Sequence, residues 1–449
     1  MGSRAWFILA CAVLIPWQIW NVASHSQFLR PPLPIGDGPD YESIGYSLSV
    51  GKGFAFAWDD PEWKAPYLAD AASLEYNQLH REASAGPTTL RPPLLPVVIS
   101  MVFRIAGRTP NAFAIVRCIS GSAIALSGAL AVMLAFQLAN KFAVSRWVPH
   151  LAATITLLLA FLDQNTRTYA IDFLTEPLAM LLTTIFLFVA LSLDDARLPM
   201  IKIVVLSALM ALMIVTRSMV VFWLPLVTLV LLISLRSKQK SQSLLFFILV
   251  VLFLSPWWIR NCRQLESFMP MGAQGAASIL GGYSDEALAD GGNWHPDAEL
   301  RLKQRLNEIP ASKEWTQMEL EKQTSSAATR ETKNWLRQHY RDMPYLIALR
   351  LKSHWNPYVG KSLLWRLGMI LGAVTLLTYR RRESYWMLGL PIVSSLTVMC
   401  LYETGGRFLV PLYGLLYALA GIGGAATLQA VALALSLGGK PKAIESREG

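Results

Sequence analysis

Charge is what this sequence has least of. Only 16% of its 449 residues are Asp, Glu, Lys or Arg, where a soluble domain carries roughly 25%. An ordinary water-soluble domain is therefore excluded. Cysteine is also scarce: Cys11, Cys118, Cys262 and Cys400 are the whole complement. Three lie in or beside apolar runs and none pairs at metal-ligand spacing, which reads as small buried apolar residues rather than a disulfide scaffold or a cysteine metal site. No internal repeat and no low-complexity tract is visible, which weighs against a repeat array and against a transporter built from paired halves. The net charge of +10 invites a nucleic-acid reading. The basic residues are instead dispersed between apolar runs, where membrane orientation accounts for them, so no nucleic-acid partner is expected.

Apolar sequence is abundant, at 53% of the chain. Hydrophobic runs recur from residue 5 to residue 437, each near the ~20 residues that cross a bilayer as a helix. The expected class is an all-α multi-span membrane protein. The first run, Trp6 to Trp20, resembles a secretory signal, but Trp17, Trp20 and Asn21 follow where a small-residue cleavage site would stand; an uncleaved first span is expected. With the N-terminus in the cytoplasm, further spans fall at 112–139, 147–162, 177–193, 201–216, 219–235, 244–258, 363–379, 385–402 and 408–437. Lys141, Arg146, Arg197, Lys202, Arg236, Lys238, Lys240, Arg380, Arg381, Arg382, Lys440 and Lys442 then share the cytoplasmic side, as the positive-inside bias requires. That agreement needs Leu94 to Ala106, of ~14 residues, to lie on the outer interface rather than to cross. The total is about ten transmembrane helices, in the cell (inner) membrane.

Three regions follow. Residues 1–259 form an N-terminal transmembrane module whose first outer loop, 23–111, carries interfacial helices. Residues 260–362 form an outer helical segment, with helical spacing from Ala298 to Ile309 and Lys313 to Arg350. Residues 363–449 hold the last spans and a short cytoplasmic tail. His295, His339 and His354 read as surface residues, and Trp58, Trp63, Tyr67, Tyr283 and Trp294 as sugar-stacking or interfacial aromatics.

This topology places Asp37, Asp40, Arg91, Asp163, Asp172, Glu176, Arg217, Arg260, Glu403 and Arg407 at or near span ends on the outer side. Charge close to a bilayer is costly and tends to serve a purpose. Arginine binds a lipid phosphate through its planar fork, and a neighbouring carboxylate can take a proton from an incoming hydroxyl. Such a set suffices to move a sugar from a lipid-phosphate carrier to a hydroxyl, with the leaving phosphate's charge neutralised. Asp37, between Gly36 and Gly38-Pro39, sits in a turn that can approach a substrate or simply be stabilised by the carboxylate. Glu176 precedes Pro177 and reads as the first residue of a helix, suited to positioning or to holding a metal.

Several motifs occur in a fixed order: Asp37 with Tyr41 and Gly51-Lys52-Gly53-Phe54; Arg91-Pro92-Pro93-Leu94; Leu174-Thr175-Glu176-Pro177-Leu178; Thr216-Arg217; Pro256-Trp257-Trp258-Ile259-Arg260-Asn261; and Gly406-Arg407-Phe408 with Pro411. In this order the chain resembles a GT-C fold glycosyltransferase, of the group containing the aminoarabinose-to-lipid-A transferase and the protein O-mannosyltransferases. The resemblance implies that Asp37 is the catalytic base and that Arg91, Arg260 and Arg407 engage the carrier phosphate. Glu176, with Asp172 or Asp40, would orient the sugar, or Asp37 and Glu176 would hold a divalent cation. Gly38 stands where the family often has glutamate. The expected activity is inverting transfer from a polyprenyl-phosphate-linked sugar donor to a hydroxyl of a lipid, glycan or protein acceptor, on the extracytoplasmic face. The alternatives are a lipid-linked sugar transporter or flippase and a surface-polysaccharide ligase or polymerase.

Overall fold

A bilayer leaves each backbone polar group to be satisfied within the chain, so apolar runs of this length fold as helices. The computed structural model describes residues 2–33, 36–68, 85–163, 165–192, 200–235, 239–356, 363–379 and 382–438. Among the described residues four helical stretches are long and apolar enough to cross a membrane: Ser3–Ala23, Pro110–Ala139, Ser241–Leu265 and Arg407–Leu435. The other expected spans each coincide with a helix of 16 to 19 residues: Trp147–Leu162, Glu176–Leu191, Met200–Thr216, Ser218–Ser234, Leu363–Tyr379 and Arg382–Cys400. The protein is a helical membrane protein. Arg197, Arg236, Lys238, Arg380, Arg381, Lys440 and Lys442, on which the expected orientation partly rests, lie outside the described residues.

Helix Pro110–Ala139 is the centre of the bundle. It packs against Ser3–Ala23, Trp147–Leu162, Glu176–Leu191 and Tyr413–Gly438, and a single apolar core runs through these helices. Small residues permit the closest approaches. A Cβ at Gly372 would meet the Leu419 carbonyl oxygen at 2.0 Å, so helices Leu363–Tyr379 and Tyr413–Gly438 touch backbone to backbone.

The first outer loop has its own core. Helices Gly38–Ser49, Pro61–Leu68 and Leu94–Ala106 enclose Tyr41, Ile44, Trp63, Tyr67, Ile99 and Phe103. Strands Ala55–Phe56 and Gly86–Pro87 close it as an antiparallel ribbon, with Ala55 opposite Pro87. Leu94–Ala106 is short, as expected, and is apolar on both sides: Leu95, Ile99 and Phe103 are buried while Met101 and Ile105 are exposed. Trp58, Trp63 and Tyr67 are buried here, which corrects their reading as stacking or interfacial residues. Trp58 stacks on Phe56, while Trp63 and Tyr67 donate to the fully buried Glu42, which is paired with Arg108 at 2.6 Å.

The segment expected on the outer side is built from Gln274–Gly282, Asp297–Asn307, Gln317–Gln338 and Met343–His354. Helix Ser241–Leu265 runs past the expected span 244–258, so Arg260, expected near a span end, lies in its last turns. Glu321 ties this segment to the first loop, accepting from Thr88 Oγ1 (2.6 Å), Thr89 N–H (2.9 Å) and Thr89 Oγ1 (2.7 Å).

Candidate active site

Asp37 immediately precedes helix Gly38–Ser49 with its side chain free of any capping bond to it, and Pro39 at the helix start presets the helical turn. Gly38 is required by its surroundings: a Cβ there would stand 2.2 Å from the Asp172 carbonyl oxygen. The Asp172 carbonyl is presented by a turn in which Phe173 adopts φ +54°, a conformation unusual for a side chain of that bulk. The turn is held by Arg117, fully buried, which donates to the carbonyls of Ile171 (2.9 Å), Phe28 (3.1 Å) and Arg30 (2.7 Å) and lies over the Phe173 ring.

From Asp37 a ladder of alternating charge extends in both directions. Arg91 Nη1 is 2.9 Å from Asp37 Oδ1. The same guanidinium donates from Nε (2.9 Å) and Nη2 (2.6 Å) to Asp40 Oδ2. On the other side Arg407 Nη2 donates to Asp37 Oδ2 at 3.1 Å, while its Nε donates to Glu176 Oε1. Arg217 donates to the same Glu176 oxygen and to Thr175 Oγ1 at 3.4 Å. Glu176 is the first residue of its helix, as expected, and its Oε2 is buried without a hydrogen-bond partner among the described residues. The order is Asp40, Arg91, Asp37, Arg407, Glu176, Arg217, and the six formal charges cancel.

The ladder shapes the ionisation of its members. Burial opposes charge on Asp37, but Arg91 and then Arg407 outweigh it and hold the carboxyl well below the usual range. Burial dominates at Asp40, which is lifted despite Arg91. Burial also pushes Tyr41 up to about 12, so it stays a neutral phenol beside Arg91, whose guanidinium lies 5.6 Å from its ring.

Asp37, Arg91, Arg217 and Arg407 face a cavity of about 260 Å³. Met219, Phe222, Ile279, Leu401 and Phe408 give it an apolar side. Gln274, Ser278, Trp294, Tyr402 and Thr404 add neutral polar groups and aromatic faces. Trp294 was among the expected stacking aromatics; Gln274, Ser278, Tyr402 and Thr404 were invisible in the sequence, because polar residues in a polar segment offer no contrast.

Five of the expected site residues are thus brought together: Asp37, Asp40, Arg91, Glu176 and Arg407. Asp172 adjoins the site through its backbone; its carboxyl, lifted by burial against the pull of Arg117, does not line the cavity. Arg260 is not part of the ladder. It donates to the carbonyls of Thr88 (3.0 Å) and Phe54 (3.2 Å) and packs against the Phe54 and Trp257 rings, which themselves meet edge-on, so it supports the end of the ribbon. His354, expected at the surface, is fully buried. Arg407 occupies the place between Asp37 and Glu176 that a divalent ion would take, and among the described residues no group of three His, Cys, Asp or Glu side chains could complete a metal site. The residues present do not fit a bound cation in this arrangement.

Comparison with solved structures identifies the architecture. The Archaeoglobus fulgidus oligosaccharyltransferase tethered to an acceptor peptide matches with a TM-score of 0.54 at 13% identity, over 99% of this chain and 51% of that one. The Archaeoglobus fulgidus oligosaccharyltransferase AglB, in complex with an inhibitory peptide and a dolichol-phosphate, gives a TM-score of 0.50 at 11% identity, over 100% and 52%. ArnT from Cupriavidus metallidurans, bound to undecaprenyl phosphate, covers 98% and 82% at 15% identity, but its TM-score of 0.40 carries no weight. The chain spans about half the length of the archaeal enzymes it matches. No protein-family model matches it, and no curated protein does. The likeness shows the fold alone, and that fold is GT-C.

Proposed function

We propose that this GT-C-fold chain is a membrane glycosyltransferase that moves a sugar from a polyprenyl-phosphate carrier to a hydroxyl acceptor on the outer membrane face, with inversion. The observation that carries the reading is the charge ladder along a half-apolar cavity. Guanidiniums suit the phosphate of a lipid carrier, and the apolar side suits the first units of its chain. The fold neighbours, an oligosaccharyltransferase with an acceptor peptide and one with dolichol-phosphate, support this kind of reaction. The reading takes about ten spans with both ends in the cytoplasm, an orientation that the positive-inside bias of the loops supports and under which the ladder faces outward.

In the reaction the acceptor oxygen attacks the anomeric carbon from the face opposite phosphate. The bond from that carbon to the phosphate oxygen breaks, its electron pair leaves with polyprenyl phosphate, and the acceptor proton passes to Asp37. Arg91 and Arg407 take the growing negative charge, while Glu176 and Arg217 hold Arg407 and Asp40 holds Arg91. Both Asp37 oxygens are engaged by arginine, and a carboxylate so paired is a weak base. A donor phosphate competes for the same two guanidiniums and thereby raises the proton affinity of Asp37. Donor binding before acceptor is the order this predicts.

The test uses the purified protein in proteoliposomes supplied with polyprenyl-phosphate sugars, following release of polyprenyl phosphate. Asp37→Asn is expected to abolish release while leaving donor binding nearly intact. Wild-type turnover in that variant removes Asp37 as the base. Movement of the donor across the bilayer without release indicates a transporter instead.

A further inference from the structure

One fully buried ionisable pair takes no part in this chemistry. Neither Glu403 nor His354 exposes any side-chain surface. Glu403 lies in the loop between helix Arg382–Cys400 and the 3₁₀ turn Arg407–Leu412. Its Oε1 accepts from the backbone N–H groups of Thr404 (2.6 Å) and Gly406 (3.0 Å). Its Oε2 accepts from His354 Nδ1 at 2.7 Å, and His354 Nε2 lies 3.2 Å from Ser394 Oγ. The outer segment braces the same loop: Trp294 N–H donates to the Glu403 carbonyl (2.6 Å), and Gly405 N–H to Asn293 Oδ1 (3.1 Å).

Leu401, Tyr402, Thr404, Arg407 and Phe408 all reach the cavity from this loop. It turns on Gly405 (φ +62°) and Gly406 (φ +83°), a stretch that only glycine adopts without strain and that has no side chains to pack. Its geometry must therefore be set by hydrogen bonds to a fixed acceptor. We infer that Glu403, oriented by His354, is the positioning residue that sets Arg407 against Asp37 and Glu176. Glu403 touches no substrate; it acts through the Thr404 and Gly406 amides. This rests on the reading of Arg407 as a phosphate ligand.

Reach, not charge, is what the arrangement demands. One carboxylate spans two amides on one oxygen and an imidazole on the other. Glutamine keeps that span, since its oxygen accepts from the amides and its NH₂ donates to Nδ1 of neutral His354. Aspartate keeps the charge but falls a methylene short. The experiment compares wild type, Glu403→Gln, Glu403→Asp, Arg407→Ala and the Glu403→Asp/Arg407→Ala double variant, each full length in lipid nanodiscs. The readouts are affinity for a polyprenyl phosphate and amide hydrogen exchange of peptides covering 401–412. Glu403→Gln is expected within about threefold of wild type, and Glu403→Asp at least about tenfold weaker, with faster exchange confined to this loop. The double variant is expected to bind no more weakly than Arg407→Ala alone, because residues acting as one unit are not additive. Additive losses, or Glu403→Asp outperforming Glu403→Gln, overturn the inference. Should Glu403→Asp not accumulate, His354→Phe replaces it, with the same expectations. If wild type binds no polyprenyl phosphate the phosphate reading of Arg407 fails, and hydrogen exchange alone decides whether Glu403 holds the turn.

Discussion

Asp37 shows how a few contacts decide a residue's chemistry. Its carboxyl is held below the ordinary range, with burial opposing and Arg91 and Arg407 prevailing. Its native value lies below its unfolded one. The stability it lends is therefore present above about pH 4, the unfolded value, and lost only as pH falls through the native one. The kcat/KM profile, which reports the free enzyme, should accordingly show no Asp37 limb above about pH 4. Removing one guanidinium in Arg407→Gln should move the limb up by roughly 1–3 units. A limb that stays put in a pH series of polyprenyl-phosphate release would take Arg407 out of this control. Asp37, Arg91, Glu176 and Arg407 were legible in the sequence because charge stands out against apolar surroundings. Arg217 was visible too, yet nothing in its spacing revealed that it shares an oxygen of Glu176 with Arg407. His354 was not legible, since its helix reads as a charged surface segment and its burial depends on Glu403, far along the chain.

Elements are placed here by contacts between backbones as much as by side chains. Gly38→Ala would drive a methyl group into the Asp172 carbonyl and push helix Gly38–Ser49 outward, carrying Asp37 with it. We expect folded protein with transfer reduced about 100-fold, the cost of roughly 1 Å of misplacement; near-normal turnover would show that the helix can shift without loss. At the ribbon, Glu321→Ala strands the Thr88 and Thr89 donors against helix Gln317–Gln338. A loss of about 3 kcal/mol, read as a lower midpoint of thermal unfolding in detergent, is expected, and an unchanged midpoint would rule out the clamp. Helix positions were largely legible from apolar runs. The end of Ser241–Leu265 was not, because its last turns carry Arg260 and Asn261, which are satisfied by the ribbon and by the Pro270 carbonyl rather than by lipid.

For the whole molecule the critical quantity is which side each loop faces. In a chain whose four cysteines are replaced by serine, Lys313→Cys in the outer segment should react with an impermeant maleimide added to intact cells. Val144→Cys, between helices Pro110–Ala139 and Trp147–Leu162, should react only after permeabilisation. The reverse pattern would put the ladder in the cytoplasm. The class of protein, the outline of its bundle and the gathering of acids and arginines at one face were readable from hydropathy and charge; the individual pairings along the cavity were not, since they depend on tertiary contacts alone.

Glu321 grips the stretch leading into Arg91, and His354 grips Glu403 beside Arg407. Both grips come from the same outer segment. That segment cannot then be exchanged as an independent cassette. A graft would release both arginines, so any change to the segment requires linked changes in three distant stretches of chain.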